Sequence, residues 1–226
     1  MSLVTINIPA IIALFDEDKD VSKHTNAIKT MLGEPFMLGI LLTYLQEKCI
    51  ESEILVDKNN RIKPCVSGLS KGVRLDAWVR NHLTLFQVEV KFWSAHGVGS
   101  GAIFQKDHEE WEDYTHRLWN SFWNDDRGNF KEKSLQKVLC RMTPAAEDIG
   151  EREIKPLACL WSPIYDQRDK KPFFKVIPKE GDFDELWVFS VSTYLRMKAN
   201  ENHSLTINLP DYADRMQLLN LIAPIA

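Results

Sequence analysis

Asp76, Glu89 and Lys91 are the residues whose types and spacing could do chemistry together. They fall in the segments 73–80 and 83–92, where side chains alternate along each run. A period of two is the pattern of a β-strand, whose successive side chains point to opposite faces. In the first run Val73, Leu75, Ala77 and Val79 share one face, and Arg74, Asp76, Trp78 and Arg80 share the other. In the second, Leu85, Gln87, Glu89 and Lys91 stand opposite Thr84, Phe86, Val88, Val90 and Phe92. A tight turn centred on Asn81-His82 makes the runs a hairpin that sets Asp76 opposite Gln87 and Arg74 opposite Glu89. Cross-strand partners share a face, so Asp76, Gln87, Glu89 and Lys91 are expected on one side. A one-residue slip would destroy that agreement.

Carboxylates on adjacent strands suit a hard divalent cation, which takes oxygen ligands and keeps several waters. Asp76 and Glu89 are the candidate ligands, with the main-chain carbonyl of Val90 as a third. An ion held there would polarise a phosphate and lower the pKa of a bound water. Lys91, on the same face as Glu89, is placed to orient that water, to neutralise developing charge or, if desolvated, to act as a base. An acidic residue two positions before a lysine also occurs at Glu17-Asp18-Lys19, Glu153-Ile154-Lys155 and Asp169-Lys170-Lys171. Only the Glu89 instance combines an apolar strand, a preceding strand with an Asp, and a following helix.

Arg74-Leu75-Asp76, twelve further residues, and then Glu89-Val90-Lys91 resemble the active-site signature of the PD-(D/E)xK nuclease superfamily, the restriction-endonuclease-like fold. Leu75 stands where that signature often has proline. The resemblance implies an α/β fold with an αβββαβ core and a mixed central sheet flanked by helices. It also implies Mg²⁺ dependence, with Mn²⁺ as a substitute, and hydrolysis of nucleic-acid phosphodiesters, DNA before RNA and endonucleolytic before exonucleolytic. Many members carry a metal-supporting Glu in the first helix, and Glu34 looks like that position; its plain reading is a carboxylate favoured in the first turn of a helix beginning at Pro35. Some place a Gln in the helix after the Lys strand, which makes Gln105 a candidate, and Gln87 is a second because it faces the site. Arg74, with Lys63 and Lys71 nearby, is the expected phosphate contact. The partner is therefore nucleic acid, with no membrane, and a homodimer fits the same picture. The alternative is a non-catalytic interaction module of the same fold. In a third reading Asp76 and Glu89 merely pair with Arg74 and Lys91 as surface ions.

The elements that must position these residues follow from pattern. A first helix is expected over 24–49, interrupted by Gly33 and Pro35 so that two helices could meet near Glu34. A strand is expected at 53–57, then the hairpin, then a Gly-rich loop at 97–101. That loop is no P-loop, because no Gly-Lys-Ser/Thr follows. Helices are expected over 103–123 and 135–142, strands at 157–161 and 186–191, and helices again at 194–198 and 213–222. With neither a repeat nor a long linker, residues 1–226 are expected to be a single nuclease-like domain, its core spanning about 28–191 with N- and C-terminal additions.

Composition excludes several classes. The 226 residues are 44% hydrophobic and 27% charged, ordinary for a globular domain. Apolar runs are too short or interrupted to cross a bilayer, and the N-terminus lacks a basic leader region. Cys49, Cys65, Cys140 and Cys159 form no Cys-x-x-Cys pair, so reduced, mostly buried thiols and a cytoplasmic location are expected. His108 and His116 are eight apart, not the four a zinc-protease helix needs. The net charge of −4 advertises no nucleic-acid surface. A local cluster at Lys58, Arg61, Lys63, Lys71, Arg74 and Arg80 is the nearest thing to one.

Overall fold

A computed structural model describes residues 2–17, 23–55, 75–92, 97–98, 101–124, 129–130, 133–142, 150–166 and 168–209. In chain order these form strand β1 (Ser2–Asn7), helix α1 (Ile8–Ile12) continuing into a π-helical turn (Ala13–Glu17), and helix α2 (Lys23–Glu47). Strands β2 (Glu53–Ile54), β3 (Ala77–Arg80), β4 (Thr84–Lys91), β5 (Gly97–Val98) and β6 (Gly101–Ala102) precede helix α3 (Trp111–Phe122). Strands β7 (Trp123–Asn124) and β8 (Asn129–Phe130) lead to helix α4 (Lys133–Gln136), which tightens into a 3-10 turn (Lys137–Leu139). Strands β9 (Glu153–Leu160), β10 (Phe173–Val176) and β11 (Leu186–Ser190), helix α5 (Val191–Ala199) and strand β12 (Ser204–Leu209) complete the series.

The fold is α/β, built on a six-stranded mixed sheet in the order β10-β11-β9-β4-β3-β2. Its centre is parallel, β4 beside β9 and β9 beside β11, and its flanks are antiparallel. Central parallel strands lose water on both faces and so read as nearly continuous apolar runs. Strand β9 shows this in the run Leu157-Ala158-Cys159-Leu160, every residue of which is buried. Parallel neighbours also require a crossover, and α3 lies in the one joining β4 to β9.

Each sheet face has its own helical cover. On one, Met37, Leu41 and Leu45 of α2 pack with Val79, Val88, Val90, Leu157 and Cys159. On the other, Tyr114, Leu118 and Phe122 of α3 pack with Ala158, Leu160 and Val188, joined by Leu135, Val138 and Leu139. Helix α2 is apolar around much of its circumference because a second sheet, β1 paired antiparallel with β12, lies near it. Gly39 permits that approach: a Cβ there would sit 2.7 Å from the main-chain oxygen of Asn208.

Several sequence expectations change. Helix α2 is continuous through Pro35 and does not divide near Glu34. The buried run from Phe36 onward holds the helix to the sheet, and Gly33 packs so closely on Phe92 that a Cβ would lie 3.2 Å from its ring. The expected long helix over 103–123 begins only at Trp111, because 106–109 form a turn closed by Glu109 N–H donating to the Lys106 carbonyl. Strands β1, β5, β6, β7, β8, β10 and β12 are additional to the expected set, and β5 and β6 pair across the expected Gly-rich loop. The expected helix at 213–222 lies outside the described residues. Among the described cysteines Cys159 is buried, Cys140 half-buried and Cys49 exposed, and none forms a disulfide. No helix among the described residues is long and apolar enough to cross a membrane.

Candidate active site

The hairpin register is two residues from the expected one. Ala77 faces Val88, Trp78 faces Gln87 and Arg80 faces Leu85, where the sequence reading set Asp76 against Gln87 and Arg74 against Glu89. The cause is the turn. Asn81 N–H donates to the Thr84 carbonyl, and the Asn81 side chain accepts from the N–H groups of Leu83 and Thr84. An asparagine cap of this kind centres the turn on His82-Leu83. A shift of two preserves strand parity, so Gln87, Glu89 and Lys91 keep a common face.

Asp76 stands just before β3, where that strand leaves the ladder. Its N–H donates to the Val88 carbonyl at 3.2 Å, and its Oδ2 accepts from Val90 N–H at 2.7 Å. In an unbroken antiparallel ladder a main-chain carbonyl would take that N–H. The carboxylate takes it instead, which ties Asp76 to the end of β4. The Val90 carbonyl emerges on the same strand edge as its N–H, toward Asp76.

Glu89 is completely buried. Lys91 donates to Oε1, and the ammonium of Lys137 lies 2.7 Å from Oε2. Burial, and then the charge of Asp76, push Glu89 up to about 7 against the opposing pull of Lys137 and Lys91. Asp76 is held against β4 on either side of Glu89, through Val88 and Val90, and with burial it also pushes the Cys159 thiol up. The far end of β4 is fixed by an aromatic cluster. Phe92, Phe15 and Trp161 meet edge to face at 4.9–5.0 Å, and Trp161 N–H donates to the Lys91 carbonyl.

No family model matches this chain, and neither a curated protein nor a solved structure matches it significantly. The site is therefore read from its own residues. It lies toward the carboxyl end of a central parallel strand, the usual place for ligands in open α/β sheets.

Gln87 has a different duty from the expected substrate contact. It is fully buried, its amide donates to the carbonyls of Val138 (2.5 Å) and Cys140 (2.9 Å), and its oxygen accepts from Met142 N–H at 3.1 Å. These bonds clamp the 3-10 turn to β4 and so bring Lys137 to Glu89. Sequence reasoning missed Lys137, because nothing local links it to a strand residue far upstream. The signal that could have pointed to it is Gln87 itself, an amide in a buried strand that must find main-chain partners. Gln87→Leu should lower stability by about 2 kcal/mol, the cost of orphaning such buried groups, in urea-unfolding measurements.

The remaining candidates are scattered. Gln105 precedes α3 instead of standing on it; it is exposed and its amide donates to the Glu109 carbonyl. Glu34 is exposed within α2 and is not at a helix start. Among the described residues no three His, Cys, Asp or Glu side chains gather as an ion cage, so Glu34 does not join Asp76 and Glu89 in one. Arg74, Lys63 and Lys71 lie outside the described residues. Arg80, from the basic cluster, is paired with Glu53.

Proposed function

We propose that this chain is a divalent-metal-dependent nuclease of the restriction-endonuclease-like, PD-(D/E)xK kind, acting on DNA phosphodiesters. The observation that carries the reading is the buried Glu89, with Asp76 beside it and Lys91 on its own strand face. The order α2-β2-β3-β4-α3-β9 supports it, since it follows the helix–three strands–helix–strand order of an αβββαβ core.

The donor set fits Mg²⁺ or Mn²⁺. Asp76 and Glu89 offer carboxylates and Val90 a carbonyl, few enough ligands to leave the ion its waters. A bound ion would supply Lewis-acid polarisation of the phosphate and an acidified water. Asp76, tied to the Val90 N–H, would hold the ion from a fixed position. Glu89 would hold the ion through an oxygen that now faces a lysine. Lys91 is then placed to orient the attacking water and to offset charge growing on the phosphate.

A second reading, a non-catalytic interaction module with the same core, is favoured by one observation: both Glu89 oxygens already face ammonium groups. Titration with Mg²⁺ and Mn²⁺, by calorimetry or thermal shift, separates the two when run beside cleavage assays on duplex DNA, single-stranded DNA and RNA. The nuclease reading expects saturable binding and metal-dependent cleavage of DNA. A flat titration with every substrate intact leaves the module.

A further inference from the structure

We propose that Lys137 is a phosphate-binding residue of this site, held on Glu89 until the carboxylate is given to a cation. The inference rests on the nuclease reading and adds a residue that the motif does not contain.

When ionised, Asp76 and Glu89 carry two negative charges, set against the two positive ones of Lys91 and Lys137. The cluster is thus neutral when all four are ionised. A phosphodiester carries one negative charge, and attack by a hydroxide-like oxygen builds a second on the phosphoryl group. With a divalent ion the same cluster has a net charge of plus two, which balances that dianion. Removing Lys137 leaves it one short.

Geometry gives Lys137 the means. Its main chain is anchored, because Gln87 binds the carbonyls of the next residue, Val138, and of Cys140. Its side chain is 28% exposed, while that of Glu89 is wholly enclosed. A fixed base, a flexible four-carbon stem and an open side let the ammonium swing from carboxylate to phosphate. Lys91, at 18% exposure and on the same strand as Glu89, has the more constrained path. The two lysines therefore divide the work, Lys91 beside the water and Lys137 on a non-bridging phosphate oxygen.

This makes opposite demands on binding and turnover. In Lys137→Gln, loss of the ammonium competing for Glu89 should tighten Mn²⁺ binding about fivefold, the size of one partly screened unit charge at contact distance. The same variant should lose at least about tenfold in kcat/KM on duplex DNA with Mg²⁺, and Lys137→Arg should recover most of it. The experiment is Mn²⁺ calorimetry on the full chain without DNA, cleavage kinetics, and melting curves for wild type and both variants. If wild type cleaves and Lys137→Gln cleaves equally well, the proposal is overturned and the nuclease reading stands. Weaker Mn²⁺ binding with a lowered melting temperature would make Lys137 a structural counter-ion and also overturn it. A wild-type chain that neither binds Mn²⁺ nor cleaves removes the nuclease reading itself, and this inference with it.

Discussion

Asp76→Ala and Glu89→Ala should each abolish metal-dependent cleavage, lowering it by about 10³ or more, while Lys91→Ala should lower it about 10²–10³ and leave ion binding largely intact. In the nuclease reading Asp76 and Glu89 are the two acidic ligands among the described residues, so losing either should leave an ion mobile. An ammonium is not a ligand, so its loss is felt in turnover. The variants differ in structural cost. Asp76 accepts the Val90 N–H, and truncating it orphans that donor at the end of β4, which costs about 1–3 kcal/mol if no water replaces it. Asp76→Asn retains an acceptor and separates the two effects. The decisive comparison is cleavage beside Mn²⁺ calorimetry and melting temperature. Undiminished cleavage in Glu89→Ala would place the chemistry elsewhere.

Glu89→Gln should stabilise the protein without divalent ions, by up to about 3 kcal/mol at pH 8. Burial, then Asp76, holds Glu89 up to about 7 from an ordinary 4.5. Between those values the folded chain binds a proton that the unfolded chain has released, so this group's stabilising contribution is full below 4.5 and is lost as pH rises through 7. Glutamine mimics the protonated form and forgoes the loss. The gain should therefore vanish near pH 4, and Mn²⁺ should erase it at pH 8 by binding only the wild type's carboxylate. Urea unfolding of both proteins at the two pH values measures it; an equal difference at both would show that ionisation of Glu89 costs the fold nothing. In the nuclease reading the same coupling should weaken ion affinity below pH 7, because an ion would have to displace a proton.

The face shared by Gln87, Glu89 and Lys91 was legible from alternation alone, since parity survives a two-residue change of register. The register itself was not, because it depends on whether the Asn81 side chain or a main-chain carbonyl closes the turn. The central strands were legible as apolar runs. Strand β10 was not: Phe173–Val176 is a short edge strand, and its place beside β11 is set by tertiary pairing. Gln87 and Lys137 show a further limit. A polar residue on the site face can serve the sheet, and a lysine on a distant 3-10 turn can serve the site, when one long-range clamp decides both.

The pairing of β1 with β12 bears on how the chain is made. Thr5 and Thr206 meet across this ladder, 201 positions apart. At about 5–20 residues per second a ribosome takes on the order of ten to forty seconds to supply that partner. Throughout the interval β1 presents an unsatisfied strand edge and apolar side chains, the features that recruit chaperones or seed aggregation. The segments that carry Asp76, Glu89 and Lys91 are all synthesised within that same interval. Strand β1, made before the six-stranded sheet, is thus sheltered only after it, and the outer cover of α2 closes once the sheet beneath it can form.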